Sequence, residues 1–326
     1  MKGYGEDSFA EAKLRRLENI SPIASNCDSF FRKWPPDGAQ EIRDSRSLSK
    51  GTRGQASGHC REKEGVDLQR LRRQVAFDRL LARLFQAAQP PALPWVLKGG
   101  YAMELRIKAA RTTKDIDLTM RSASSSDEKN LAVLEKLQEA AASRSGDFFV
   151  YTIGEPISDL NAAPYGGARF PVETRLDGRA FVGFHLDVGI GDAVLEPLEV
   201  IKGRDWLGFA GIATPSLYLI PRERQFAEKL HAYTLPRQGA ANTRVRDLVD
   251  MALLIQSGTL ARSRVTEAIR LTFERRKPHT LPNTLPVPPA EWQKPYEALA
   301  RECGLSGQVE DAFEILRTFA EAVVGG

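Results

Sequence analysis

The chain is short of the residues that most often build metal and redox centres, with three cysteines and four histidines among its 326 residues. Cys27, Cys60 and Cys303 stand far apart and form no C-x-x-C pair, which excludes a disulfide framework and a four-ligand zinc site and fits a reducing compartment. His59 adjoins Cys60, but no further ligand lies near them in the chain. No stretch approaches the roughly 18 apolar residues of a membrane span, and the first residues lack the apolar core of a signal peptide. The expected location is therefore the cytoplasm, with no membrane partner. A phosphate-binding Walker loop is missing, as is a dinucleotide fingerprint, because neither the Lys-Ser/Thr ending nor a third glycine follows Gly99-Gly100. No repeat of solenoid length recurs. Excess charge is also small, at +4, which permits a nucleic-acid partner without requiring one.

What is present divides into three parts. Residues 1–62 are rich in Ser, Gly, Arg and Asp, with turn signals such as "KWPPDGAQ" and no sustained hydrophobic period. They read as a poorly ordered leader. Helical spacing begins with Leu68, Leu71, Val75, Phe77, Leu80, Leu81 and Leu84. After it come the strand "WVLKGG", a short helix from "YAMELRI", the strand "TKDIDLTM", a helix over 127–143, and strands around "DFFVYTI", "RFPVETRL" and "RAFVGFHLDVGI". From 214 the pattern turns helical, with two last helices after a Pro-rich connector at 278–290. The expected class is α+β: a small mixed sheet with flanking helices over 63–213, then a helical domain over 214–326 that completes a cleft.

Side chains alternate along a strand, so in "TKDIDLTM" Ile116, Leu118 and Met120 face one way while Asp115, Asp117 and Thr119 face the other. The two acids lie roughly 7 Å apart along the strand, close enough to share a divalent ion. In "FVGFHLDVGI" an apolar face of Val182, Phe184, Leu186, Val188 and Ile190 leaves Asp187 on the opposite side with Phe181 and His185. A D-x-D on an amphipathic strand also suits the solvated face of a half-buried sheet. If the two strands are neighbours, however, Asp187 completes a triad. Three carboxylates beside a Gly-Gly turn and a helix N-terminus can hold two metal ions and a triphosphate, an arrangement suited to phosphoryl or nucleotidyl transfer.

"LKGGYAMELR" followed by "RTTKDIDL" resembles the first motif of nucleotidyltransferases with the DNA polymerase β type core, in the branch called the AbiEii/AbiGii abortive-infection toxins. "AEKLHAY" and "RVRDLVDMALL" resemble that branch's later Lys and Asp motifs, in the same order, and the likeness runs from about 65 to 326. Tyr101 departs from the pattern, since many relatives carry a small hydroxyl residue after the glycines. The resemblance implies a nucleotidyltransferase core, a nucleoside triphosphate donor, two Mg²⁺ ions held by Asp115, Asp117 and Asp187, and an RNA acceptor such as the 3′ end of tRNA. It further implies a toxin with a cognate antitoxin protein. Gly99 and Gly100 would bring backbone N–H groups to the phosphates, and Lys98 and Arg111 flank the motif as further phosphate ligands. A D-x-D glycosyltransferase and a catalytically inactive nucleotide-binding protein of the same fold are the alternatives. Against the first, no Rossmann half precedes the D-x-D.

On the helix "PRERQFAEKLHAY", Lys229 lies at the margin of an apolar stripe formed by Phe226, Leu230 and Tyr233. Its stem can pack while the ammonium reaches a cleft. The resemblance implies that Lys229 contacts the triphosphate. In "RDLVDMALLI", Asp247 and Asp250 share one face of an otherwise apolar helix and need partners. Lys229, Arg244 and Arg246 can supply them. By resemblance Asp247 is the active-site acid and Asp250 the structural one. His231 reads as a packed helical histidine. A basic run, Arg262, Arg264, Arg270, Arg275, Arg276 and Lys277, reads either as a solvated face or as a track for an RNA backbone.

Overall fold

The computed structural model describes residues 67–86, 90, 92–121, 129–160, 163–237 and 242–324. The expected leader over 1–62, with His59 and Cys60, lies outside them. The described residues form one mixed sheet and two hydrophobic cores.

Helix α1 (Leu68–Gln86) lies across the sheet and buries Leu71, Val75, Phe77, Leu80, Leu81 and Leu84, the residues that its helical period selects. Each such side chain stabilises the fold by about 1.5–3 kcal/mol on full burial. Arg79 and Arg83 turn inward as well, and both donate to the buried Asp147, from Nε of Arg79 at 2.6 Å and from Nη1 of Arg83 at 2.8 Å.

The strands are β1 (Trp95–Lys98), β2 (Asp115–Met120), β3 (Phe149–Ile153), β4 (Ser158–Asp159), β5 (Gly167–Leu176), β6 (Arg179–Ile190), β7 (Glu199–Lys202) and β8 (Ser216–Leu219). Their order is β3-β5-β6-β2-β1-β8-β7, with β4 beside β5. The β2–β6 and β1–β8 pairs are parallel, and the rest are antiparallel. Helix α2 (Gly99–Arg106) joins β1 to β2, and α3 (Lys129–Ala141) follows β2.

Two details depart from the expected layout. Strand β8 lies past residue 213 in sequence and joins the sheet beside β1, so the sheet draws on chain that reads as helical. A strand of four residues is too short to show a period. Phe181 leaves the acidic side of β6 and packs in the core, 5.3 Å from the Phe149 ring centroid. The cause is a register shift: Thr174 pairs with Val182 and Arg175 with Ala180, so Phe181 is an extra residue in its strand. Such a bulge reverses the facing of the side chains beyond it.

The helical half contains α4 (Arg222–Thr234), α5 (Val245–Gln256), α6 (Arg262–Arg276), α7 (Gln293–Cys303) and α8 (Val309–Val324). Its core includes Phe226, Leu230, Leu248, Val249 and Leu316, and takes in Met103 from α2. Tyr101 and Ala102, the residues just before it, belong to the sheet core. Helix α2 is thus shared between both cores. Among the described residues no helix is long and apolar enough to cross a membrane.

Candidate active site

Parallel pairing of β2 and β6 sets Asp117 directly beside Asp187, and Asp115 beside His185. The two strands are neighbours, and the three acids share one face. On the other flank, β1 sets Lys98 opposite Asp117. Antiparallel β5 sets Arg169 opposite Asp187.

The Gly-Gly turn exists in order to let α2 start against these acids. Gly99 has φ +67, and a Cβ there would lie 2.0 Å from Oδ2 of Asp117, so only glycine fits. The N–H of Gly100 points at the same oxygen from 3.4 Å. Helix α4 fastens the turn from the other side, where Nε2 of Gln225 donates to the Gly99 carbonyl at 2.7 Å. Tyr101 does not face the acids. Its hydroxyl donates to Oδ1 of the buried Asp78 at 2.6 Å, so the bulky residue in the motif is a core contact.

Burial pushes the Asp117 carboxyl up to about 6, and the neighbouring Asp187 adds to the rise, against opposing pulls from Lys98, Lys229 and the Gly100 N–H. Asp117 is therefore a buried carboxyl beside a second acid, with its nearby positive charge too weak to offset its burial. Oxygen donors under that strain suit a hard divalent cation, which relieves both the burial cost and the repulsion. Among the described residues no three His, Cys, Asp or Glu side chains are already drawn together as a metal cage. Two of the acids are engaged with other partners. Arg169 grips both oxygens of Asp187, Nε to Oδ1 at 2.8 Å and Nη2 to Oδ2 at 2.7 Å, and Nδ1 of His185 lies 3.1 Å from Oδ1 of Asp115.

Lys229 reaches the site from α4. Its ammonium donates to Oδ2 of Asp250 at 2.6 Å and to Oδ1 of Asp247 at 3.2 Å. Burial alone would draw Lys229 down, but Asp250 and Asp247 outweigh it and hold the ammonium above its ordinary range. Arg111 clamps Asp250 through Nε at 3.0 Å and Nη2 at 2.8 Å. Asp250 is wholly enclosed, and Asp247 retains some exposure, with 14% of its side chain accessible. The more enclosed acid thus fixes Lys229 and Arg111, and the outer one keeps one side open to solvent. Arg111 is engaged by α5, not free beside the motif.

Lys98 is also engaged. Its Nζ lies 2.6 Å from Oδ2 of Asp192 and 3.4 Å from Oε2 of Glu228. Arg276 closes on the same pair, at 2.9 Å from Asp192 and 3.2 Å from Glu228. Asp192 and Glu228 escape a sequence reading because Lys98 and Arg276 reach them from β1 and α6, far along the chain, although Arg224, one turn before Glu228 on α4, joins them at 3.3 Å from Glu228. The local signals are that Asp192 closely follows the acid strand and that Arg224 precedes Glu228 by four residues. Of the basic run, Arg262, Arg270, Arg275 and Lys277 are exposed, with Arg270 paired to Glu274 at 2.9 Å and Arg275 donating to the Gly191 carbonyl at 2.8 Å, while Arg276 turns into this cluster. His231 packs 4.9 Å from the Phe273 ring, as expected of a core histidine, and burial pushes it down to about 4.

A family model described as nucleotidyl transferase AbiEii toxin, type IV toxin–antitoxin system, matches residues 79–318. Among solved structures, MenT4, a nucleotidyltransferase toxin from Mycobacterium tuberculosis H37Rv, aligns with a TM-score of 0.50 at 18% identity, covering 81% of this chain and 99% of that one. That likeness speaks for the fold. A second solved protein, from H. pylori and provisionally assigned as a nucleotidyltransferase, aligns with a TM-score of 0.40 at 16% identity, over 77% of this chain and 92% of that one. No curated protein matches.

Proposed function

Since the chain belongs to the AbiEii nucleotidyltransferase toxin family of type IV toxin–antitoxin systems, we propose that it transfers a nucleoside monophosphate from a nucleoside triphosphate to an RNA acceptor, the 3′ end of tRNA. The observation that carries this reading is the in-register pair of Asp117 and Asp187 beside the Gly99-Gly100 turn. Family membership implies an antitoxin partner and sets aside the nucleotide-sugar alternative. Cytoplasmic RNA as the acceptor places the reaction in the cytoplasm.

In this reading Asp115, Asp117 and Asp187 hold Mg²⁺, which when bound draws charge from the triphosphate and lowers the pKa of the attacking hydroxyl. The backbone N–H groups at Gly99 and Gly100 and the start of α2 orient the phosphates. The acceptor hydroxyl oxygen forms a bond to the α-phosphorus, the bond to pyrophosphate breaks, and Asp187 takes the hydroxyl proton. Lys229 offsets the negative charge that builds on the pyrophosphate, with Asp247 holding its ammonium in place. Lys98 and Arg111 act from behind, Lys98 by orienting Asp192 and Glu228 and Arg111 by fixing Asp250.

The test is incubation of wild type and Asp117→Asn with each α-³²P-labelled nucleoside triphosphate, Mg²⁺ and total bacterial RNA, followed by a denaturing gel. Label on tRNA-sized species with wild type alone is expected. Equal labelling by the variant would overturn the assigned site, and absence of RNA label with every nucleotide would overturn the acceptor.

A further inference from the structure

Arg169 occupies a position that the proposed reaction leaves unexplained. It projects from β5 directly across from Asp187, and its guanidinium lies flat against that carboxylate with one short hydrogen bond to each oxygen, at 2.8 and 2.7 Å. The same Nη2 stands 3.8 Å from Oδ2 of Asp115. Arg169 therefore lies between two of the three acids, where a shared dication would lie. About a third of its side chain is exposed, at 34%, so the guanidinium has solvent to move into. Among the described residues no backbone carbonyl or further side chain holds it there.

A two-pronged arginine–carboxylate contact is among the stronger exposed interactions a protein makes. A dication on either Asp187 oxygen would face a guanidinium across a single carboxylate, and like charges at that range repel strongly in a partly dry site. The two cations are thus alternatives. Resting on the metal-dependent reading above, we infer that Arg169 is a built-in counter-ion that closes the acid site and must be displaced from Asp187 when a divalent ion binds. It is a positioning residue: it sets how tightly the empty enzyme takes up metal, and once released it presents its charge on the acid face, beside the phosphates that arrive with the ion. The arginines of the Asp192–Glu228 cluster do not share this feature. Arg224 is fully enclosed and Arg276 nearly so, at 0% and 9% side-chain exposure, and each is held by two acids, so neither has room to exchange.

The test is direct measurement of Mn²⁺ binding to the full chain, by loss of the free-ion electron paramagnetic resonance signal, in wild type, Arg169→Gln and Arg169→Lys, without nucleotide. Arg169→Gln should bind Mn²⁺ about tenfold more tightly than wild type, the value of a lost competing ion pair of this kind. Arg169→Lys, which keeps the charge but not the fork, should fall between them. In wild type the Arg169 Nε–H resonance should shift on Mg²⁺ addition, and Asp187→Asn should abolish that response. If folded Arg169→Gln binds Mn²⁺ with unchanged or weaker affinity while wild type binds it and transfers label, Arg169 is a fixed strut for Asp187 and this inference alone falls. If no form takes up Mn²⁺, with or without nucleotide, the metal reading beneath it falls too.

Discussion

Asp117 gives the sharpest energetic prediction. Replacing it with Asn preserves its size and its acceptor for the Gly100 N–H, but removes a charge held against Asp187. The gap between a folded value of about 6 and the ordinary 3.8 corresponds to roughly 3 kcal/mol. Partial exposure of the side chain brings that to about 2 kcal/mol. The sign follows from proton linkage. Above pH 6 the carboxyl is ionised in both states, and the fold bears the whole cost; as pH falls from about 6 toward 3.8 the folded state takes up the proton first, and the cost disappears. In EDTA at pH 8, Asp117→Asn should therefore be more stable than wild type by about 2 kcal/mol, a rise of about 4 °C in melting temperature for a chain of this size. At pH 4 the two should melt together. Saturating Mg²⁺ at pH 8 should raise wild type and leave the variant where it was. A variant that is less stable than wild type in EDTA, or a difference that does not change with pH, would refute the claim that this site holds uncompensated negative charge.

Three further outcomes are expected. Gly99→Ala combines a left-handed backbone with a Cβ driven into Asp117, and should cost about 2 kcal/mol and abolish both transfer and Mg²⁺-dependent stabilisation, read by thermal melting and the labelling assay. Asp250→Asn strands Lys229 and Arg111 in the interior and should cost roughly 3–5 kcal/mol in a denaturant titration, whereas Asp247→Asn, nearer solvent, should cost under about 1 kcal/mol while lowering kcat. Tyr101→Phe deprives the buried Asp78 of a donor at 2.6 Å; it should lose about 1–3 kcal/mol and keep its KM for nucleotide, since the hydroxyl points away from the acids.

The parts of the site that can be read from the chain are those governed by a local period. Alternation along β2 and β6 isolates Asp115, Asp117 and Asp187, and the turn-by-turn spacing of α5 puts Asp247 and Asp250 on one face, where both meet Lys229. What stays hidden depends on register between distant segments. Nothing in "RFPVETRL" says that its first arginine will face Asp187, because that follows from how β5 pairs with β6. The same is true of Lys98 and Arg276 converging on Asp192 from β1 and α6. Phe181 is misplaced by strict alternation because a single extra residue reverses it. The basic run on and after α6 is a largely exposed face, as its composition suggests, but Arg276 turns inward to acids that lie far from it in the chain.

Strand β8 bears on how the two halves of the molecule can be inherited. It comes from chain beyond the acid strands, yet it is the neighbour that covers the outer side of β1, the strand that runs directly into Gly99. Severing the chain at 213 would turn β1 into a sheet edge with open backbone groups immediately before the turn that meets Asp117. The sheet is therefore not a portable cassette to which any helical domain can be appended. A descendant of this protein that exchanged its C-terminal half would have to bring a replacement strand along with the replacement helices.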